Sequence, residues 1–87
     1  MPIDADRVLR NLGRRLAELR VESGLTQEAL AEQIGVSGRY VQQVEAGRNM
    51  NLRTLITWAN VFDVTLATLL EAPRTPKPPP GRPKRRS

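Results

Sequence analysis

The chain has 87 residues, enough for one small domain, and a chain this short buries only about 60–65% of its unfolded surface. It contains no cysteine and no histidine, which excludes disulfides, thiolate chemistry, most metal sites and every catalytic triad that needs an imidazole. The composition therefore predicts a protein that is not an enzyme, uses no cofactor or metal, and gains stability from dimerisation.

The net charge of +5 is unevenly distributed along the chain. Residues 1–72 carry eight arginines against nine acidic residues, a net charge of −1, whereas residues 73–87 carry six basic residues and no acid. If residues 1–72 bind an anionic partner, their arginines must lie together on one face. The N-terminus lacks the pattern of a signal peptide, and no apolar run approaches the roughly 20 residues of a membrane span, which predicts a cytoplasmic protein without a membrane partner.

The first predicted helix begins near Asp4 or Asp6, because either carboxylate suits a helix N-terminus, and it continues to about Glu22. Gly24 then ends it in a left-handed conformation. The apolar stripe of this helix, with spacings of three and four, consists of Val8, Leu12, Leu16 and Leu19.

Two short helices joined by a tight turn are predicted between Thr26 and Arg48. Thr26 caps the second helix, which ends at Gly35, and Ser37 caps the third, which ends near Ala46. The apolar residues that can meet on the inner side of this pair are Leu30, Ala31, Ile34, Val36, Val41 and Val44. Polar side chains remain on the outer side, as expected for a helix that enters a DNA groove.

The fourth predicted helix runs from Leu52 to Phe62 with Asn51 as its cap, and a short fifth helix runs from Thr65 to Leu70. Trp58 could stack on a nucleic-acid base, but its place on the apolar stripe of the fourth helix favours the core. No segment has the pattern of a strand. The predicted fold class is therefore all-α, with five helices.

Residues 73–87 contain six of the seven prolines and no acidic residue. Such a segment cannot bury a core of its own, and proline favours an extended path. The sequence therefore predicts a helical domain at residues 1–72 and a disordered basic tail at residues 73–87.

Three segments follow a known family pattern: LRVESGLTQEALAEQIGVS from Leu19, YVQQVEAGR from Tyr40, and LRTLITWANVFDVTLATLL from Leu52. Through them the chain resembles the helix-turn-helix family of phage repressors and Cro proteins, which includes xenobiotic-response-element regulators and restriction-modification controller proteins. The resemblance implies a repressor-like domain with its helix-turn-helix at about residues 26–46. It also implies an ion pair between Arg20 and Glu45 that anchors the third helix to the first.

A third helix in the major groove would present its N-terminal and outer residues to base edges. The predicted base-reading residues are Ser37, Gly38, Arg39, Gln42 and Gln43. Arg39 has the donors for guanine and Gln43 the amide for adenine, while Gly38 departs from relatives with a long polar side chain there. The predicted phosphate contacts, at helix N-termini and beside the third helix, are Thr26, Gln27, Tyr40, Arg48, Asn51 and Arg53.

Two further surfaces are predicted. The apolar residues in excess of what a small domain buries, which we expect at a dimer interface, are Ile56, Val61, Leu66 and Leu70.

The tail sequence PGRPKRRS is similar to the AT-hook, and the residues that match its minor-groove core and flank are Gly81, Arg82, Pro83 and Lys84. A solvated basic tail that attracts phosphates without sequence preference explains the same residues equally well.

These features predict a transcriptional regulator that binds double-stranded DNA as a homodimer on a palindromic operator, controls its own gene, and is held at the nucleoid by DNA. RNA polymerase is an allowed partner, and no small-molecule ligand is expected. Two alternatives remain open. The chain could be an antitoxin whose tail or fifth helix binds a cognate toxin, or a protein-interaction module whose DNA affinity comes only from the charge of the tail.

Overall fold

The computed structural model of the protein describes residues 2–74, which form five α-helices. The helices are α1 (Ala5–Glu22), α2 (Gln27–Ile34), α3 (Gly38–Glu45), α4 (Leu52–Phe62) and α5 (Leu66–Leu69). No strand occurs within residues 2–74, and the predicted all-α, five-helix fold is confirmed. The minor-groove residues predicted in the tail, Gly81, Arg82, Pro83 and Lys84, lie outside the described residues.

Each helix begins directly after a residue whose side chain accepts a hydrogen bond from the first turn. The predicted caps at Thr26, Ser37 and Asn51 are all confirmed, with bonds of 2.9, 3.0 and 2.8 Å to the third backbone N–H of their helices. A cap of this kind stabilises a helix by about 1 kcal/mol. The boundaries of the two short helices are therefore fixed by local chemistry.

The turn between α2 and α3 depends on Gly35, which adopts φ +77°. A side chain at this left-handed position would be strained, and the extended Ser37 follows at once to cap α3. The chain thus reverses within three residues and places α3 across α2.

The core surrounds Trp58, whose side chain is fully buried, as predicted. The other buried apolar residues of this core are Leu12, Leu16, Leu19, Leu30, Ala31, Val41, Val44, Leu55, Ala59 and Leu69. Ile34 and Val36 pack at its edge. The prediction for α1 is wrong at Val8, which is 40% exposed, because the buried part of the helix begins only at Leu12.

α1 and α3 approach each other closely at Gly13. A Cβ atom on Gly13 would lie 2.5 Å from the carbonyl oxygen of Glu45 and 2.6 Å from that of Val44. Both contacts are with backbone atoms, which cannot rotate away. Glycine at position 13 therefore sets the distance between the two helices.

Within residues 2–74, none of the helices combines the length and the apolar character that crossing a bilayer demands.

Candidate functional site

α3 has a buried inner side and an exposed outer side. Val41 and Val44 point inward and are fully buried, whereas Arg39 and Gln42 are exposed. Gln43 and Gly38 are half-buried, and Ser37 is exposed even though its oxygen caps the helix. The predicted base-reading residues therefore lie together at the N-terminal end and on the outer side of one short helix.

The C-terminal end of α3 is fixed by a buried ion pair between Arg20 and Glu45. Arg20 Nε donates to Glu45 Oε2 at 2.7 Å and Arg20 Nη2 donates to Glu45 Oε1 at 3.2 Å, with side chains only 3% and 7% exposed. Arg20 Nη1 also donates to the carbonyl oxygen of Leu25 at 2.8 Å. Two parallel bonds between planar groups fix orientation as well as distance, so α3 is held to α1 in one arrangement.

Gln27 belongs to this buried network, while its phosphate contact at the N-terminus of α2 stays a prediction. Its side chain is 5% exposed, and Nε2 donates to Glu45 Oε1 at 2.9 Å. The side-chain amide is therefore engaged by Glu45. The backbone N–H of Gln27, in the first turn of α2, is one of those that a helix leaves without an intrahelical acceptor, and it suits an anion.

The other predicted phosphate contacts lie around α3. Thr26 and Asn51 use their side chains as caps for the third backbone N–H of α2 and α4, and the other N–H groups of these first turns have no acceptor within the helix. Arg48 and Arg53 are exposed, and each carries a positive charge beside a helix end. This arrangement suits an anion that approaches the face bearing α3.

Tyr40, the remaining predicted phosphate contact, is half-buried and packs on the core. Its ring lies 6.2 Å from that of Trp58, and Arg48 Cζ lies 4.9 Å above the centre of the Tyr40 ring. Arg48 Nη1 also donates to Gln43 Oε1. Sequence reasoning missed this cluster, because the turn after α3 that brings Arg48 back over Tyr40, and the packing of Tyr40 on Trp58 of α4, appear only in the folded chain.

A second charged cluster, also missed from the sequence, joins α1 to the segment after α5. Arg15 and Glu18 are 2% and 4% exposed and form an ion pair of 3.3 Å. Glu18 accepts hydrogen bonds from the backbone N–H of Arg74 at 2.8 and 3.0 Å, and Arg15 Nε donates to the carbonyl oxygen of Thr68 at 3.4 Å. The start of the basic tail is thereby held against the middle of α1.

The predicted dimer residues fall into two groups. Ile56 and Leu70 are 41% and 58% exposed, while Val61 and Leu66 are half-buried against the core of their own chain. Leu52, one turn before Ile56, is 61% exposed and was not among the predicted residues. The large apolar residues exposed on α4 and directly after α5 are therefore Leu52, Ile56 and Leu70.

Comparison with known proteins identifies the fold. The family profile described as helix-turn-helix matches residues 16–69. The restriction-modification controller protein C.AhdI from Aeromonas hydrophila is 38% identical and superposes with a TM-score of 0.71, over 77% of this chain and 99% of that one. A hypothetical transcription factor, NHTF, from Neisseria is 29% identical, with a TM-score of 0.68 over 85% of this chain and 87% of that one.

A curated relative is much longer than this chain. The propionyl-CoA carboxylase regulator of Cereibacter sphaeroides is 42% identical over 65 residues, which cover 71% of this chain but only 14% of that protein. The chain therefore spans about one seventh of the length of that relative. With the profile covering more than half of the sequence and the controller protein matched over nearly its full length, the chain belongs to the helix-turn-helix family of DNA-binding regulators.

Proposed function

We propose that this protein is a sequence-specific transcriptional regulator that binds its operator by inserting α3 into the major groove. The observation that carries the proposal is the pair of contrasting sides of α3: the inner side is buried and held by Arg20 and Glu45, and the outer side presents Arg39 and Gln42 to solvent. A helix held in this way can offer the same polar surface at every encounter with DNA.

Arg39 is the chief base reader in this proposal. It stands in the first turn of α3, is exposed, and has the paired donors that match guanine O6 and N7. Gln42 and Gln43 lie one turn further along the same surface. Ser37 and Gly38 stand where the helix enters the groove, so their contact is through small groups and backbone.

Phosphate contacts hold the protein in register on the duplex. We assign them to the helix N-termini at Thr26, Gln27 and Asn51, with the backbone N–H acting for Gln27, and to the exposed charges of Arg48 and Arg53. Because residues 1–72 have a net charge of −1, these few local contacts supply most of the domain's attraction to DNA.

The operator is proposed to be palindromic and to bind a homodimer, with half-sites about one helical turn apart. Leu52, Ile56 and Leu70 are the exposed apolar residues that a partner copy would cover, with Val61 and Leu66 at the margin. Control of its own gene is proposed from the likeness to a protein named as a restriction-modification controller.

Footprinting on the DNA upstream of the protein's own gene tests the proposal directly. Two protected half-sites, related by symmetry and about one turn apart, are the expected result. Protection without symmetry contradicts the dimeric operator, and protection of no particular sequence contradicts specific binding.

The dimer has a separate test. We expect Ile56→Glu to shift the protein towards monomer in light scattering and to weaken operator binding, because it places a charge in the apolar interface. Val21→Glu places the same charge at an apolar residue of α1 that is 45% exposed, and it serves as the matched control. Equal effects from both variants would contradict the proposed interface.

The basic tail is proposed to increase the affinity for DNA without contributing to the preference for the operator sequence. A chain that ends at Arg74 keeps the contact with Glu18 but loses five basic residues. We expect a smaller dependence of binding on salt concentration, with the operator preference kept. Loss of that preference would place base reading in the tail instead of α3.

A further inference from the structure

Four side chains, each in contact with the next, connect the core to the outer side of α3. Trp58 is fully buried, and the Tyr40 ring packs beside it at 6.2 Å with a tilt of 53°. The Arg48 guanidinium lies over the Tyr40 ring, and Arg48 Nη1 donates to Gln43 Oε1. Tyr40 is thus packed on the core, Arg48 is placed over Tyr40, and the amide of Gln43 is hydrogen-bonded to Arg48.

This contact determines which end of the Gln43 amide faces outward. A guanidinium has only hydrogen-bond donors, so the atom that it holds must be the amide oxygen of Gln43 and not the nitrogen. If the amide were rotated by 180°, its NH₂ group would face the N–H donors of Arg48, and no hydrogen bond could form. With its oxygen engaged by Arg48, the group of Gln43 that is left for an approaching base is the NH₂, which has two donors.

Adenine and guanine differ in how well their major-groove edges match an NH₂ group. Adenine presents the N7 acceptor beside the N6 amino donor, so an amide that recognises adenine through two bonds must offer both its oxygen and its nitrogen. Guanine presents two neighbouring acceptors, O6 and N7. An amide that offers only donors therefore matches guanine and meets an unfavourable donor on adenine.

We propose that Arg48 is a positioning residue that makes Gln43 a donor-only reader, so that α3 selects guanine over adenine at the base that Gln43 faces. The proposal rests on the proposed function, in which α3 lies in the major groove. It replaces the expectation from the sequence that Gln43 reads adenine. Arg48 then has two roles, contact with phosphate and control of the Gln43 amide.

The test is selection of bound sequences from DNA with randomised half-sites, with the full chain and three variants. Gln43→Ala identifies the base position at which Gln43 acts, since preference there is lost. At that position the wild type is expected to favour guanine over adenine by about fivefold or more, and Arg48→Ala to lower or reverse this ratio. Arg7→Ala removes an exposed charge from α1 and is expected to keep the ratio, as a control for lost charge.

Each other outcome has a definite meaning. A wild-type preference for adenine, or a guanine preference that survives Arg48→Ala, overturns the role of Arg48 and leaves the proposed function intact. If Gln43→Ala alters no base position, Gln43 is not a reader and this inference is overturned. Enrichment of no sequence by the wild type overturns the proposed function itself.

A measurement on the free wild-type protein needs no substitution. Nuclear Overhauser effects between the Arg48 side chain and the Tyr40 ring protons are expected from the 4.9 Å separation of the guanidinium carbon and the ring centre. Their absence would show that Arg48 is not held over Tyr40, and would overturn the proposal even if a variant failed to fold.

Discussion

The two sides of α3 differ in how much change they can accept. On the inner side, Glu45 sits in a buried ion pair and Gly13 of α1 leaves no room for one additional carbon. On the outer side, the nearest atoms to a Cβ added at Gly38 would belong to the side chain of Glu28, at an ordinary contact distance of 3.6 Å. The contrast indicates that the proposed base-reading surface can accept substitutions because the orientation of α3 is set on the opposite side.

The largest effect is expected from Arg20→Met, which leaves the Glu45 carboxylate buried without its cation. Breaking a buried ion pair from one side costs about 3–5 kcal/mol of unfolding free energy, a large part of the stability of so small a domain. Urea denaturation followed by circular dichroism measures the loss. Wild-type stability in this variant would show that the ion pair does not fix α3.

A double variant distinguishes the cost of the unpaired charge from the cost of lost packing at the Arg20–Glu45 ion pair. Adding Glu45→Gln to Arg20→Met removes the buried charge and keeps an acceptor for Gln27, so part of the lost free energy should return. A double variant no more stable than Arg20→Met would contradict an electrostatic origin of the loss.

Gly13→Ala is expected to cost about 1–3 kcal/mol of unfolding free energy, because the new carbon overlaps backbone oxygens of α3. The direction of the change in stability is informative, since alanine in a helix interior is otherwise favoured over glycine by about 1 kcal/mol. Thermal unfolding shows whether the variant is more or less stable than the wild type. A stabilised variant would mean that α1 and α3 separate easily.

Arg39→Ala tests the outer side. Operator binding should weaken by about 1–3 kcal/mol with relaxed preference at one base position, while the unfolding free energy stays within about 0.5 kcal/mol of wild type. Titration of labelled operator and of variant operators measures both. Equal weakening on every sequence would favour an interaction module with only nonspecific DNA affinity.

The smallest effect is expected from Gly38→Ala, the counterpart of the change at Gly13. Replacing glycine where the backbone and the space accept alanine stabilises by about 0.4–1 kcal/mol. The melting temperature should therefore rise slightly. A fall would show that the start of α3 is as restricted as its inner side.

The helices could be predicted from the sequence because their ends depend on neighbouring residues. Asn51 caps α4 and Gly35 ends α2 through bonds and dihedral angles within a few residues, so both signals are readable in the chain. Val8 was misplaced because periodicity shows which face of α1 is apolar but not where the body of the protein begins.

The site was less predictable, because its contacts join distant segments. Gln27 is predicted from its place at a helix start to contact phosphate, and only the fold shows its side-chain amide bound to Glu45. Arg15 and Glu18 resemble a solvated pair until residues 68–74 cover them. Gly13 did carry a readable signal, since a glycine inside a helix costs about 1 kcal/mol unless a close approach requires it.

The hydrogen bonds from the backbone of Arg74 to Glu18 make α1 the starting point of the basic tail. In the proposed complex, with α3 on an operator, any encounter between residues 75–87 and the same duplex is intramolecular. The strength of that encounter then depends on an effective concentration, which the number of residues after Arg74 limits, and not on the amount of protein in solution. A change at Glu18 could therefore alter operator occupancy without altering a single residue that touches DNA.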